Sequence, residues 1–138
     1  MPLLTYVKFR PFVEALAEGL HDLENDELML ALSNTAPTAA DGVLADIAEI
    51  SYTNLSSRVL TVLTSEQIAG LYQLIIDDHS LTASGGSVGP FQYIIVFNNT
   101  AAAKNLIGFY DMLAPVTMLD SDVVNLNFDD VLGLLDIE

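Results

Sequence analysis

The chain has 138 residues, 51% of them hydrophobic, and sets 19 acidic side chains against four basic ones, Lys8, Arg10, Arg58 and Lys104, for a formal net charge of -15. Contact with phosphate backbones or anionic lipid surfaces needs Lys and Arg in numbers this chain lacks, so nucleic acid and membrane are excluded as partners. A mean hydropathy of +0.44 sets it apart from acidic disordered chains, and the apolar surplus implies burial against other subunits as well as within the fold.

Length places residues 1–138 in a single domain. With no cysteine there is neither a disulfide nor a thiolate metal site. The N-terminus lacks a basic region followed by an apolar one, and no apolar run reaches about 18 residues, so neither a signal peptide nor a membrane span is expected.

"KFRPFVEALAEGLHDL" puts Phe9, Phe12, Val13, Leu16 and Leu20 on one stripe, predicting a helix over about 9–20 with Pro11 in its first turn. "ENDE" reads as a turn and "ELMLALSN" (27–34) as a short buried strand. "TAPTAADG" is a loop, and "VLADIAEI" (43–50) fits either one helical turn or an irregular strand. From residue 57 the pattern is β. Val59, Thr61 and Leu63 alternate with Leu60, Val62 and Thr64; in "LYQLIIDDHSLTA" (71–83), Tyr72, Leu74 and Ile76 share a face.

"SGGSVGPFQYIIVFNNT" (84–100) sets Phe91, Tyr93, Ile95 and Phe97 opposite Gln92, Ile94, Val96 and Asn98, as in a central strand covered on both faces. A phosphate-binding glycine loop opens a helix, and the Walker form carries a lysine. Here Gly85, Gly86 and Gly89 lead through Pro90 into a strand, so the stretch is a turn. Further strands are expected at 105–112, 116–119, 123–129 and 131–137, the last two joined by Asp129-Asp130 as a hairpin. Turn signals every roughly 8–12 residues predict a mainly β fold, a jelly-roll-like sandwich or barrel with one N-terminal helix.

Candidates for chemistry are few. Asp77-Asp78-His79 could orient an imidazole for Ser80, Ser84 or Ser87, but no nucleophile elbow is present, and an exposed histidine in an acidic turn is the simpler reading. Asp120-Ser121-Asp122 opens like a calcium loop without its glycine or closing glutamate. Asp129, Asp130, Asp136 and Glu138 read as a solvated rim, and Asn54-Leu55-Ser56 and Asn98-Asn99-Thr100 as chance matches to glycosylation acceptors. No catalytic, cofactor or metal site emerges.

The runs "LALSNTAPTAADGVLADIAEISYTNLSSR", "LTASGGSVGPFQYIIVFNNT" and "NLIGFYD", with the helical start, resemble a family of small virion proteins of tailed bacteriophages over about residues 5–138. The sequence differs from that pattern after "YD", where bulkier residues and acids replace glycine-containing turns. The resemblance implies a structural role: a cement or decoration protein, made in the host cytoplasm and carried on the virion. It would bind the major capsid protein as a homotrimer and use no cofactor. Repulsion from packaged DNA puts such an acidic protein on the outer head surface. Tyr6, Lys8, Phe9 and Arg10 are the expected capsid-docking residues, unless they only cap the helix and pack on the sheets. A tail or head–tail connector protein is the alternative, and a carbohydrate-binding or host-surface module the second.

Overall fold

A computed structural model describes residues 6–128 and the backbone of residues 135–137. The elements are β1 (Tyr6–Lys8), α1 (Arg10–Ala17), β2 (Leu28–Ser33), β3 (Val62–Ile68), β4 (Leu71–Ile76), β5 (His79–Thr82), β6 (Val88–Asn98), β7 (Leu106–Met118), β8 (Val123–Leu126) and β9 (Leu135–Ile137). The fold is mainly β, and the described residues form one short helix and three antiparallel sheets, with the orders β1-β7-β6-β2, β3-β4-β9 and β5-β8.

The helix is shorter than its apolar spacing suggests, and its buried face is rotated. Phe9 is extended and caps the helix from outside, so the buried positions are Phe12 and Ala15, while Val13 and Leu20 are exposed. Leu20 N–H bonds the Ala15 carbonyl and Gly19 N–H that of Leu16, the paired bonds of a Schellman stop. Segment 43–50 contains both alternatives in sequence. A 3-10 turn at Leu44–Asp46, with Asp46 accepting from the Gly42 and Val43 amides, is followed by a single bridge from Glu49 to Ser33.

β6 is the central strand, paired on either side with β2 and β7. Its residues Ile94 to Asn98 are all buried, as expected for a strand covered on both faces. It begins earlier than the apolar run, at Val88, and a register shift between Val88 and Phe91 accommodates Gly89 and the cis Gly89-Pro90 bond. Gly89 has φ +111, and a Cβ there would meet the Val116 carbonyl oxygen at 2.7 Å, so only glycine fits. The glycine stretch is thus a bend and bulge on a core strand.

Segments 105–112 and 116–119 are one strand, β7. The residues between them form a bulge against β6, where Leu113 takes φ 69 and donates its amide to Asp111 Oδ1 at 2.8 Å. Segment 71–83 is conversely two strands, because Asp77 and Asp78 turn the chain from one sheet to another. Asp77 N–H bonds the Thr61 carbonyl and Asp78 Oδ1 accepts the Phe128 amide. The expected hairpin of the last two strands is not formed by β8 and β9. They pair with β5 and β4 instead, and Asp129-Asp130 lies outside the described residues.

β3 and β4 form a hairpin that the sequence patterning missed. Its two-residue turn, Ala69-Gly70, has positive φ at both positions (53 and 86), the mirror-image geometry that matches strand twist. The outer edge of β2 is covered by the 49–60 segment: Leu30 N–H bonds the Arg58 carbonyl, Leu60 N–H that of Leu28 and Ile50 N–H that of Leu32. Arg58 locks this cover, donating to the Leu30 carbonyl at 2.6 Å with its guanidinium 3.6 Å from the Tyr52 ring centre. The buried apolar side chains form one cluster running from Phe9 to Phe128.

Candidate functional site

The expected docking residues divide. Phe9 is fully enclosed, its ring 5.1 Å from that of Phe109, so it has no surface to offer a partner. Its apolar side chain falls on the inward side where β1 passes into α1, which is why the docking expectation does not apply to it. Tyr6 is half-buried, lying over Gly108 and 5.1 Å from Tyr110; burial first, then Tyr110, pushes its pKa up. Lys8 and Arg10 are exposed.

The groups weighed for catalysis and calcium are separated and occupied. His79 Nε2 is 2.7 Å from the Ser57 carbonyl, to which it donates, and Ser80 Oγ donates to Asn125 Oδ1 at 2.6 Å. Ser84 and Ser87 are exposed on the glycine bend. Asp120 accepts the Gly85 amide, tying its loop to the glycine bend, and Asp122 closes a turn by accepting the Leu119 amide. Among the described residues no three His, Cys, Asp or Glu side chains gather as a metal site. Asn98, the first residue of one glycosylation match, is fully buried.

What the fold does assemble is a cleft of about 390 Å³ between the end of α1 and the β3–β4 hairpin, lined by Leu16, His21, Asp22, Leu23, Glu24, Ser65 and Tyr72. Two regions distant in sequence build it, residues 16–24 and the β3–β4 hairpin. After the Schellman stop the chain folds into a tight turn: Asp22 N–H bonds Asp26 Oδ2 at 2.9 Å, Asp26 N–H bonds the Asp22 carbonyl at 2.8 Å, and Asn25 donates backbone and side-chain hydrogens to the Asp22 carboxylate. Those bonds, the Asn25 side chain foremost, hold the Asp22 carboxyl below its ordinary pKa and keep it charged.

This turn drives His21 inward, leaving it 8% exposed with its ring 5.1 Å from Phe12. Its partner is Asn98, whose Oδ1 accepts the Thr100 and Ala101 amides and whose Nδ2 donates to Asp26 Oδ2 at 2.7 Å and to His21 Nδ1 at 3.0 Å. Two backbone donors fix which end of the Asn98 amide is oxygen, so the nitrogen faces the imidazole and Nδ1 must accept. His21 is therefore neutral and carries its hydrogen on Nε2. That hydrogen is buried with no acceptor among the described residues. Desolvation, against the opposing charge of Asp26, lowers the His21 pKa.

Across the cleft, Ser65 Oγ and Tyr72 Oη are 2.7 Å apart. One hydroxyl donates to the other, leaving one hydrogen of the pair free. Burial raises the Tyr72 pKa, Ser65 opposes the rise, and Glu24 and Asp22 add to it. The negative potential of the two carboxylates thus reaches the opposite wall. Sequence reading put Tyr72 on one face of a strand, but nothing in the spacing joined it to His21, Asp22, Glu24 and Ser65, because that meeting is tertiary.

No family model, curated protein or solved structure matches the chain. Among the described residues, no helix is long and apolar enough to cross a membrane.

Proposed function

We propose that the chain is an assembly protein without catalytic activity, a bacteriophage virion component that cements the outer head surface as a trimer bound to the major capsid protein. The outward face of the β3–β4 hairpin carries this reading. Pairing puts Ile68 beside Leu71, Glu66 beside Gln73 and Thr64 beside Ile75, while Leu74 and Ile76, on the opposite side, are buried in the core. Ile68 is 59% exposed and Leu63, at the bulge, 56%. Of the six paired residues on that face only Glu66 is charged, and among the described residues β3 is an edge strand of its sheet. On a chain of net charge -15, an apolar and nearly uncharged strip is where contact with another protein meets least repulsion.

The sequence resemblance to small phage virion proteins supports the same reading. We infer further that the sheets pack face to face as a sandwich, the Tyr110–Phe128 edge contact at 5.9 Å being one point of closure. A cement protein stabilises the shell by binding only the assembled lattice.

The test is copy number and stability. Particles purified from a phage carrying this gene should contain the protein in many copies spread over the head, and particles lacking it should assemble but break at lower temperature. A single ring's worth of copies, or tailless particles on deletion, would transfer the protein to the connector. Absence from the particle would end the proposal.

A further inference from the structure

We propose that the cleft between α1 and the β3–β4 hairpin is a docking site for a basic side chain, an arginine or lysine, presented on a peptide segment of a partner protein. This rests on the assembly reading only in requiring a protein partner, and it names the contact chemistry that reading leaves open.

Charge complementarity argues for the occupant. Asp22 and Glu24 stand at the cleft, and their field is felt at the Tyr72 hydroxyl on the far wall. Among the described residues no cation of the chain lies there. Arg58 is engaged by Tyr52 and the Leu30 carbonyl, and Lys104 Nζ donates to the Asn99 carbonyl at 2.7 Å. Lys8 and Arg10 lie on β1 and at the start of α1, outside the lining. The hydrogen bonds to the Asp22 carboxylate come from neutral groups, the Asn25 amide and side chain and the Glu24 backbone.

The remaining lining specifies a peptide carrying the cation, rather than a bare ion. Leu16 and Leu23 give an apolar wall for a long aliphatic stem, and Tyr72 adds an aromatic one. His21 supplies a buried Nε2–H that lacks an acceptor, which a cation cannot satisfy and a peptide carbonyl can. The free hydrogen of the Ser65–Tyr72 pair is a second donor of that kind. Carboxylates for the charged head, two donors for main-chain oxygens and apolar walls for the stem together complement one basic residue and its peptide groups. A cleft of about 390 Å³ is within the size range of sites that take such a ligand.

The test uses the full chain, labelled for NMR, titrated with N-acetyl-Ala-Arg-Ala-amide and with the same tripeptide carrying Gln in place of Arg. The arginine peptide should move the resonances of His21, Asp22, Glu24 and Tyr72, shift the His21 Nε2–H signal downfield and bind less well as salt is added. The glutamine peptide should bind at least about tenfold more weakly. D22N/E24Q should lose about the same factor, whereas E14Q/D77N, an equal change of net charge at exposed positions away from the cleft, should bind as the parent does. Equal binding of the two peptides would overturn the proposal, as would equal losses in the two double variants or shifts outside the cleft. The His21 signal in the unaltered protein decides the matter if D22N/E24Q fails to fold: no movement means no docking. Because the peptide test needs no virion, failure of the site and failure of the cement reading are separable.

Discussion

Asn98 Nδ2 donates to the His21 Nδ1 atom across 3.0 Å, and this one bond sets the protonation state of the imidazole. Asn98 also accepts two backbone amides and donates to Asp26, so a single buried amide ties β6, the loop that follows it and the turn after α1 together. Replacing it with alanine strands buried partners on three sides. Asn98→Ala should cost about 3 kcal/mol or more in urea unfolding, well above a surface change. A loss within about 0.5 kcal/mol would mean the network is not formed.

The same bond makes stability depend on pH. Burial lowers the His21 pKa below 6.5, so the unfolded chain takes up a proton before the folded one does. Stability from neutral His21 is complete above that value and is lost as pH falls through the interval down to the folded pKa. Protonation would set an N–H of the ring against the Asn98 amide hydrogens. Acidification also relieves repulsion among the carboxylates, so the comparison must be internal. Between pH 7 and pH 5 the parent protein should lose thermal stability relative to His21→Gln, whose side-chain oxygen can still accept from Asn98. Parallel melting curves would show that His21 does not titrate in this window.

Gly108 and Tyr6 share one space on the first sheet. A Cβ on Gly108 would collide with the Tyr6 ring, which covers that glycine from β1. Gly108→Ala should therefore destabilise the protein by about 1–3 kcal/mol through overpacking. Tyr6→Ala should be the less damaged background for it, giving a coupling energy of clear sign in a double-mutant cycle. Tyr6→Phe should fold at least as stably as the parent, since the buried Tyr6 hydroxyl has no partner among the described residues. Additive losses in the cycle would show that the ring does not sit there.

Ala69 holds φ 53 at the first position of the β3–β4 turn, a conformation that suits Asn or Gly better than Ala. Ala69→Asn should raise stability by up to about 1 kcal/mol without touching the core. Calorimetric melting reads the change directly, and a fall in melting temperature would refute the turn assignment.

That turn also shows where sequence patterning reached its limit. The parity of Leu60 and Val62 against Leu63, and of Leu74 and Ile76, was legible because one face of each strand is buried. The hairpin between them was not, because "EQIAGLY" has no Asn-Gly or Asp-Gly signal and Ile68 faces outward. The covered strand β6 was legible for a different reason, its apolar residues occupying both parities. The helix was placed but misaligned, since a stripe cannot tell a helical Phe9 from one that ends a strand. As for the cleft, its seven lining residues come from residues 16–24 and the β3–β4 hairpin, and the His21 among them is held by a bond from Asn98, 77 positions away. No local period encodes such a bond.

Pairing Tyr6 with Tyr110 has a consequence for how the molecule comes into being. The first strand emerges during synthesis long before its neighbour exists, and β2 and β4 likewise wait for β6 and β9. Such a topology closes large loops before any reward, which makes folding slow and mostly post-translational. Until then the nascent chain carries its greasy segments uncovered, with like-charge repulsion from the acids as its main defence against clumping.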